Sequence, residues 1–339
     1  MKLDYIEHGD CLTWLRQLPD ESVDCIISSP PYNIGKAYET RRALDVYLAD
    51  QKEVLANCAR VLKPTGSIFW QVGSYSLKGQ LIPLDIKCFP ILEELDLYPR
   101  NRIVWVRQHG LHARNKFSAR HETILWFTKS DNYKFELDEI RVPQKYQNKK
   151  AWRGEKKGEL TCNPLGKNPG DIWSFQNVKH NHEERTIHPA QFPEDMVSRM
   201  ILATTHPSDV VLDPYMGVGS VAVAAQDLGR HYIGAELDAE YYEVAHQRLS
   251  GLPDKNGVYP NLKTLRAYAT RTGTPASDYR FAVQTSKNAT DAAKARMFDE
   301  EHHLADLEAR LALEEGAFAD RLREPSIGTV GVEKVDLLE

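Results

Sequence analysis

The chain of 339 residues is long enough for one large α/β domain with insertions, or for about two domains. Its 42% hydrophobic residues, 27% charged residues and net charge of −5 are typical of an ordinary soluble globular protein. The start, MKLDYIEHGD, lacks the apolar core of a signal peptide, and no run approaches the ~18 apolar residues of a membrane span. We therefore expect a cytoplasmic protein.

The five cysteines are widely spaced and form neither a CxxC pair nor a disulfide framework. This usage is typical of reduced, buried or idle thiols in the cytoplasm, so we expect no metal centre. The cysteines are Cys11, Cys25, Cys58, Cys88 and Cys162.

The tripeptide His180-Asn181-His182 has the one-letter sequence HNH, which is also the name of a nuclease motif. The surrounding sequence lacks the ββα-metal pattern of that motif, so we do not expect a nuclease site.

The first 128 residues alternate helix and strand signals, which favours a mostly parallel sheet covered by helices on both faces. The second helix is expected to end at the Pro-Gly terminator KPTG, residues 63–66. Helices are predicted over residues 12–18 and 44–62, and strands over residues 23–27, 67–72, 103–106 and 123–127.

The segment SSPPYNIGKAY, residues 28–38, follows the first of these strands. Two consecutive prolines fix φ twice and remove two backbone donors, so their carbonyl groups point in set directions. A serine hydroxyl precedes them and a tyrosine ring follows. A plain turn would also explain the pattern, but the segment supplies a rigid pair of acceptors and an aromatic face at the edge of a sheet.

Positive charge is concentrated in residues 100–168, which hold 16 basic and seven acidic residues. This span has a net charge of +9, so the rest of the chain carries −14. A solvated surface would explain such segregation, but a face that binds a polyanion explains it better. Aromatic residues lie among the bases, and nucleotides stack on such rings. These aromatic residues are Trp105, Phe117, Tyr146 and Trp152.

Residues 129–185 lose the periodicity and become polar and basic, which is typical of a functional insertion or a mobile loop. Regular alternation returns afterwards and ends near Gly251. A weakly patterned linker follows, and then a charged helix over about residues 288–323, which we interpret as an accessory packing or dimerising helix. In the returning half, helices are predicted over residues 194–205, 220–228 and 239–249, and strands over residues 210–212 and 231–235.

The returning half opens with DPYMGVGS, residues 213–220, between a strand and a helix. Glycines there let the backbone approach a ligand closely, and the helix N-terminus supplies free N–H groups. The pattern completes neither the GxGxxG fingerprint nor a phosphate-binding P-loop. The next strand ends at Glu236, an acid placed to hold ribose hydroxyls. A nucleoside ligand without a polyphosphate fits both observations, although a structural turn would also explain the glycines.

The motifs SPPY, DPYMGVGS and GAELD together resemble those of the S-adenosylmethionine-dependent DNA amino-methyltransferases of the β class, in which the SPPY motif precedes the cofactor motif. The resemblance covers residues 4–250. Three further stretches fit it: Gly9-Asp10, RHETILWFTKSDNYKF at residues 120–135, and HPAQFPEDMVSRMI at residues 188–201. Two motifs depart from the usual DPF-A-GSGT and HPTQKP, but neither loses a group that is essential to the chemistry.

The resemblance implies a role for each matching residue. Ser29 and Pro30 would accept the two hydrogens of an exocyclic amino group, and Tyr32 would stack on a base flipped out of the duplex. Asp10 would accept from the cofactor's adenine, and Glu236 would bind its ribose; His188 could equally be a packing histidine. The catalytic residues expected are Ser29, Pro30, Pro31 and Tyr32. The cofactor-binding residues expected are Asp10, Cys11, Ser28, His188, Asp213, Pro214, Tyr215, Gly217, Gly219, Ser220, Glu236 and Leu237. The DNA-binding residues expected are Arg107, Arg114, Lys116, Arg120, Lys149, Lys150, Arg153, Lys156 and Lys157.

The implied fold is an α/β, Rossmann-like methyltransferase fold, permuted so that the catalytic half precedes the cofactor half. We assign residues 1–128 to the catalytic half, 129–185 to a target-recognition insertion, 186–251 to the cofactor half, and 252–339 to a linker and helical extension. Residues 33–45 are expected to form a mobile loop over the flipped base.

The implied activity is methyl transfer from S-adenosyl-L-methionine to cytosine N4 in double-stranded DNA. Serine before PPY favours cytosine N4, and adenine N6 is the alternative. An RNA or protein methyltransferase and an inactive DNA-binding relative are further alternatives. A restriction endonuclease acting on the same site is a candidate partner, and the chain is a monomer or a homodimer.

Overall fold

The computed structural model describes residues 1–36, 39–107, 112–146, 148–179 and 182–261, together with residues 263, 264, 267, 270, 280 and 281. Its centre is an eight-stranded sheet. The sheet contains β1 (Tyr5–His8), β2 (Val23–Ser28), β3 (Leu62–Val72), β6 (Tyr98–Val106), β7 (His121–Thr128), β8 (Ile172–Ser174), β9 (Val210–Asp213) and β10 (His231–Glu236). Two small pairs, β4 (Ser74–Leu77) with β5 (Gln80–Pro83) and β11 (Val258–Tyr259) with β12 (Arg280–Phe281), lie outside it.

The strand order across the sheet is β1-β10-β9-β2-β3-β7-β6-β8. Only β7 runs antiparallel to its neighbours, β3 and β6, and the other five pairings are parallel. The predicted mostly parallel sheet is therefore confirmed. Strands β2 and β9 lie side by side at the centre, with Ile26 opposite Leu212, although the chain between them supplies four other strands of the sheet.

Helices cover both faces of the sheet, as predicted. Strand β2 is buried along its whole length, because Ile26 faces one core while Cys25 and Ile27 face the other. The first core also contains side chains of α1 (Cys11–Leu15), α2 (Leu44–Val61) and α3 (Leu84–Glu94). The second contains side chains of α4 (Glu194–Thr204), α5 (Ser220–Asp227) and α6 (Ala239–Ser250).

Several described elements were not predicted: β1, the β4–β5 hairpin, α3, the 3-10 helix at Leu137–Ile140, β8 and the β11–β12 pair. Helix α2 ends at Val61, just before the KPTG segment, as predicted, but β3 already begins at Leu62 and not at residue 67. The register of β3 shifts here, from Val23 opposite Leu62 to Cys25 opposite Ser67, so these residues form an irregular start to the strand.

The predicted insertion is partly integrated into the sheet. Strand β8 pairs with β6 in parallel, and Trp173 is buried in the second core. Elsewhere in the insertion the described residues contain a 3-10 helix at Leu137–Ile140 and a few isolated bridges, such as Val142 with Lys167. The helix predicted over residues 288–323 lies outside the described residues. No helix of the described residues is long and apolar enough to cross a membrane.

Candidate active site

The ends of β2 and β9 bring the SPPY and DPYMGVGS motifs together. The carboxyl ends of parallel strands meet at one edge of a sheet, and the reversal of strand order leaves a crevice there. The Ser28 hydroxyl donates to Asp213 Oδ1 over 2.6 Å, across 185 positions of sequence. The same oxygen accepts from the Tyr215 backbone N–H at 3.0 Å. The two motifs, which lie far apart in the sequence, therefore form one site.

The SPPY turn is fixed from the helix side. The Tyr47 hydroxyl, on α2, donates to the Pro31 carbonyl at 2.8 Å. The ring of Tyr32 lies against Gly73, where a Cβ atom would come within 2.8 Å of it. A glycine at this position is therefore needed for the ring to occupy its place. The Ser29 Oγ lies 3.3 Å from the Tyr32 hydroxyl.

Hydrogen bonds connect the residues that directly follow the SPPY motif to residues 39 and 42. Glu39 accepts from the backbone N–H groups of Asn33 at 2.7 Å and Ile34 at 2.8 Å. The Asn33 side chain exchanges two hydrogen bonds with the Arg42 backbone. Helix α2 begins at Leu44, so the end of the predicted loop at residues 33–45 is helical. Residues 37 and 38 lie outside the described residues.

Glu236 connects the end of β10 to the glycine loop. Its Oε2 accepts from the Gly217 N–H at 2.6 Å and its Oε1 from the Asp238 N–H at 2.8 Å. Gly217 has φ +55° and Gly219 has φ +80°, and at Gly219 a Cβ atom would come within 3.0 Å of Ala245. Both glycines thus allow the left-handed conformation of the loop, and Gly219 also allows the loop to pack closely against Ala245 of α6.

His188 and Asp10 approach the same loop from other segments. The His188 ring stacks edge-on against Tyr241, with centroids 4.7 Å apart, and its Nε2 lies 3.9 Å from where a Cβ of Gly217 would be. Asp10 caps α1, and its Oδ1 accepts from the Thr13 N–H at 2.8 Å. Four stretches of sequence therefore converge around one space.

That space is a cavity of about 1100 Å³. Ser28, Asp213 and Gly219 do not line it. Ser28 and Asp213 are buried, at 0% and 1% exposure, so they support the wall. The candidate catalytic and cofactor residues that line it are Ser29, Pro30, Pro31, Tyr32, Asp10, Cys11, His188, Pro214, Tyr215, Gly217, Ser220, Glu236 and Leu237.

Burial controls the protonation of the site. It raises the pKa of Asp213 to about 7, against the lowering effect of the Ser28 hydroxyl. Burial likewise raises the pKa of Glu236, although the Asp238 and Gly217 N–H groups oppose this. Burial, reinforced by the Arg185 charge, lowers the pKa of His188 to about 4, so its imidazole is neutral at pH 7.

Glu122 and Gln71 line the cavity beside the SPPY turn, and neither is among the site residues expected from the sequence. Glu122 Oε2 accepts from the Tyr32 hydroxyl at 3.2 Å and from Gln71 Nε2 at 2.5 Å. Its Oε1 lies 2.9 Å from Arg107 Nη1. A signal was present in the sequence, since Glu122 is the first acid after the basic run at residues 100–120 and directly precedes the strand predicted over residues 123–127. Only the pairing of β7 with β3 places it at the motif.

Most of the expected DNA-binding residues lie away from the cavity. Arg107 lines the cavity and pairs with Glu122, and the Lys116 ammonium donates to Ser76 Oγ in the β4–β5 hairpin. Trp105 is 4% exposed and packs in the second core, although it also lines the cavity, so it does not belong to an exposed basic surface. Phe117, Tyr146 and Trp152 are exposed. Also exposed are Arg114, Lys116, Lys149, Lys150, Arg153, Lys156 and Lys157, and Arg120 is partly exposed.

Comparison with known protein families gives a match over residues 23–247 to a model described as DNA methylase. A type II methyltransferase of Bacillus subtilis, M.BglII, is 55% identical over 314 residues, which are 92% of this chain and 87% of that protein. The DNA adenine methyltransferase YhdJ of Escherichia coli (strain K12) is 34% identical over 252 residues, 72% of this chain and 82% of that protein.

Solved structures share the fold. A structure titled as the PvuII DNA methyltransferase, cytosine-N4-specific, aligns with a TM-score of 0.58 at 19% identity, covering 83% of this chain and 95% of that one. A putative DNA modification methylase of Thermus thermophilus, complexed with S-adenosyl-L-methionine, aligns with a TM-score of 0.53 at 23% identity, covering 72% of this chain and 92% of that one.

Proposed function

The chain belongs to the DNA methylase family that its residues 23–247 match, and we propose that it methylates the N4 amino group of a cytosine at a specific site in duplex DNA, using S-adenosyl-L-methionine. The observation that carries the proposal is the hydrogen bond between Ser28 and Asp213. It joins the end of the strand bearing SPPY to the strand bearing the glycine loop, so that acceptors for an amino group and a nucleoside pocket share one cavity.

The residues around the glycine loop at residues 213–219 fit the cofactor. Glu236 lines the cavity, and each of its carboxylate oxygens accepts one backbone N–H, which leaves lone pairs for ribose hydroxyls. The strand that ends in Glu236 lies close to β9, because a Cβ atom at Gly234 would lie 2.5 Å from the Asp213 carbonyl oxygen. When bound, S-adenosylmethionine supplies an electrophilic methyl group on its sulfonium. We assign its adenine to Asp10, its ribose to Glu236 and its methionine end to the loop at residues 213–219.

The residues of the SPPY side prepare the nucleophile. An exocyclic amino group is a poor nucleophile because its lone pair is delocalised into the ring. When the Ser29 hydroxyl and the Pro30 carbonyl accept its two hydrogens, the nitrogen can move toward sp³ and expose that lone pair. The prolines hold both acceptors in place before the base arrives, which is where preorganisation acts. The target must leave the helix to reach this cavity, and Tyr32 would stack on the flipped base.

Cytosine N4 is preferred over adenine N6 because of the hydroxyl that precedes the prolines. In the β-class enzymes that the motifs resemble, serine before PPY is more typical of enzymes that act on cytosine N4. A neutral hydroxyl can give its own hydrogen to a neighbouring group and still accept from the amino group, whereas a carboxylate only accepts. Adenine N6 is the second candidate. It is favoured by the 34% identity to a DNA adenine methyltransferase. A restriction endonuclease with the same recognition site is the expected partner, given the type II methyltransferase at 55% identity.

The test is the chemical identity of the product. Plasmid DNA is incubated with the protein and methyl-labelled cofactor, digested to nucleosides and analysed by mass spectrometry. We expect N4-methylcytosine. Labelled N6-methyladenine alone would select the second candidate. Parallel incubations with RNA and with protein serve as controls, and label in either of these but not in DNA would contradict both candidates.

A further inference from the structure

The carboxylate of Glu122 is surrounded by hydrogen-bond donors at the edge of the candidate active site. Three side chains approach it: the Tyr32 hydroxyl at 3.2 Å, Gln71 Nε2 at 2.5 Å and Arg107 Nη1 at 2.9 Å. The Glu122 side chain is 13% exposed. It lies on β7, which is antiparallel to β3, whereas Tyr32 follows β2. No reaction step assigned above uses this group.

The donors and acceptors of this cluster fix the direction of its hydrogen bonds. An ionised carboxylate only accepts, and a tyrosine has one hydroxyl hydrogen, so the hydrogen of Tyr32 points to Glu122. Burial raises the pKa of Tyr32 well above its usual value, which keeps this hydrogen in place. The 3.3 Å contact between Ser29 Oγ and the Tyr32 hydroxyl must then use the hydrogen of Ser29. Gln71 Nε2, 3.4 Å from the same hydroxyl, also donates to it.

This direction has a consequence for the reaction proposed above. With its hydrogen donated to Tyr32, Ser29 Oγ keeps its lone pairs for the amino group of the base. If the hydrogen of Tyr32 turned toward Ser29, it would occupy one of those lone pairs and direct the serine's own hydrogen toward the substrate. We propose that Glu122 is a positioning residue, which acts through Tyr32 to make Ser29 an acceptor. The inference rests on the proposed function.

The variant Glu122→Gln tests the direction of these hydrogen bonds, because it keeps the length of the side chain at position 122. A glutamine amide can donate to the Tyr32 oxygen, which releases the tyrosine hydrogen toward Ser29. We expect the single-turnover rate of methyl transfer to fall by roughly tenfold to a hundredfold, the range for one hydrogen bond to a charged group. The dissociation constant of the cofactor should stay within about twofold, because Glu122 does not touch it in this scheme.

A double-mutant cycle separates this role from a structural one. Tyr32→Phe keeps the stacking ring but removes the link between Glu122 and Ser29. In that background Glu122→Gln should change the rate by less than about twofold, because coupled residues are not additive. An equal loss in both backgrounds would overturn the proposal, as would a Glu122→Gln rate equal to that of the wild type. Should Glu122→Gln fail to fold, Tyr32→Phe alone must still slow methyl transfer, and a wild-type rate would overturn the role.

A matched control is Asp85→Asn. Asp85 is also a buried carboxylate paired with an arginine, and Arg102 Nε donates to it at 2.9 Å outside the cavity. This variant should lower the melting temperature while retaining the wild-type rate, and a rate loss equal to that of Glu122→Gln would overturn the proposal. Wild-type protein that transfers no methyl group to DNA would contradict the proposed function itself. If the wild type is active but Glu122→Gln lowers the rate equally with and without Tyr32→Phe, only the role of Glu122 is contradicted.

Discussion

Glu236 is the residue on which the proposed cofactor site can be tested most directly. Both of its carboxylate oxygens already accept a backbone N–H, so the side chain is held rigidly at the end of β10. Glu236→Gln keeps one acceptor oxygen and removes the charge. We expect cofactor affinity, measured by isothermal titration, to fall by about 1–3 kcal/mol, the scale of hydrogen bonds to a charged acceptor.

The control for this experiment lies four residues further along. Glu240 is exposed in the first turn of α6 and does not line the cavity. Glu240→Gln should leave the affinity unchanged. Equal affinities for Glu236→Gln and the wild type would show that Glu236 does not hold the ribose.

Asp213 predicts a dependence of stability on pH. Its pKa is raised by burial from 3.8 to about 7, so between these values the folded state retains a proton that the unfolded state has lost. The contribution of this group to the free energy of unfolding is full below pH 4 and is lost as the pH rises through 7. Relative to Asp213→Asn, the wild type should lose up to roughly 4 kcal/mol over this range. Urea unfolding of both proteins at pH 4, 5.5 and 7.5 measures the difference.

Ser28→Ala provides the second arm of this test. The Ser28 hydroxyl lowers the pKa of Asp213, and its removal leaves the carboxyl group intact. The loss of stability should then persist in this variant and extend to higher pH. A difference between wild type and Asp213→Asn that does not vary with pH would contradict the assignment of the titration to Asp213.

At the scale of elements, the basic part of the insertion predicts how DNA binding responds to salt. Lys149, Lys150, Lys156 and Lys157 are exposed, and the segment is held by isolated bridges such as Lys150 with Leu160. Replacing the four lysines with glutamine should flatten the slope of log K against log salt by up to roughly one unit per lost phosphate contact. Fluorescence anisotropy with a labelled duplex at several salt concentrations measures this slope.

A charge-matched variant controls for net charge. Four lysines outside residues 100–168 are replaced in the same way, and the salt slope should change much less. They are Lys2, Lys52, Lys87 and Lys255. If both quadruple variants flatten the slope equally, DNA is not bound by the 149–157 segment in particular.

The elements that were predicted correctly are those with a strong local pattern. The helices over Leu44–Val61, Glu194–Thr204 and Ala239–Ser250 and the buried strand Val23–Ser28 all have an apolar period that local sequence can reveal. Helix α3 was missed because Pro90 lies inside it. Strand β8 has only three residues, too few to show a local pattern. It is defined by its pairing with β6, in which Trp173 lies opposite Trp105, and this tertiary contact could not be read from the local sequence.

The candidate site shows the same division. SPPY and DPYMGVGS carry their chemistry in consecutive residues, so their motifs were visible in the sequence. Glu122 lies in the RHETILWFTKSDNYKF stretch, but its closeness to Tyr32 could not be seen in the sequence, because it depends on a strand register that sets Gln71 opposite Ile124. The buried state of Trp105 was likewise invisible, since a tryptophan among basic residues suits a nucleic-acid surface as well as a core.

At the scale of the whole molecule, a buried ion cluster connects segments that surround the cofactor loop. The Arg248 guanidinium on α6 pairs with Glu194 on α4 and donates to the Val218 carbonyl in the glycine loop at 2.5 Å. Lys263 also pairs with Glu194, and the Glu194 N–H donates to Glu184 Oε2 at 3.0 Å. The side chains of Arg248 and Glu194 are 1% and 4% exposed. Two helices, the loop and the chain after α6 are therefore held by one set of charges.

Removing one partner of this cluster should destabilise the whole domain. Arg248→Met keeps much of the side-chain volume but leaves the buried Glu194 with Lys263 as its cation. An uncompensated buried charge costs about 3–5 kcal/mol, so this partly compensated one should cost up to that amount. Arg16→Met is the control, because Arg16 and Glu53 form an exposed pair, each side chain 60% exposed, whose contribution is about 1 kcal/mol or less. Urea unfolding should show a large loss for Arg248→Met and a small one for Arg16→Met. Since Val218 would lose its donor as well, cofactor affinity should fall only in Arg248→Met. Equal stabilities for the two variants would mean that the cluster does not hold the domain together.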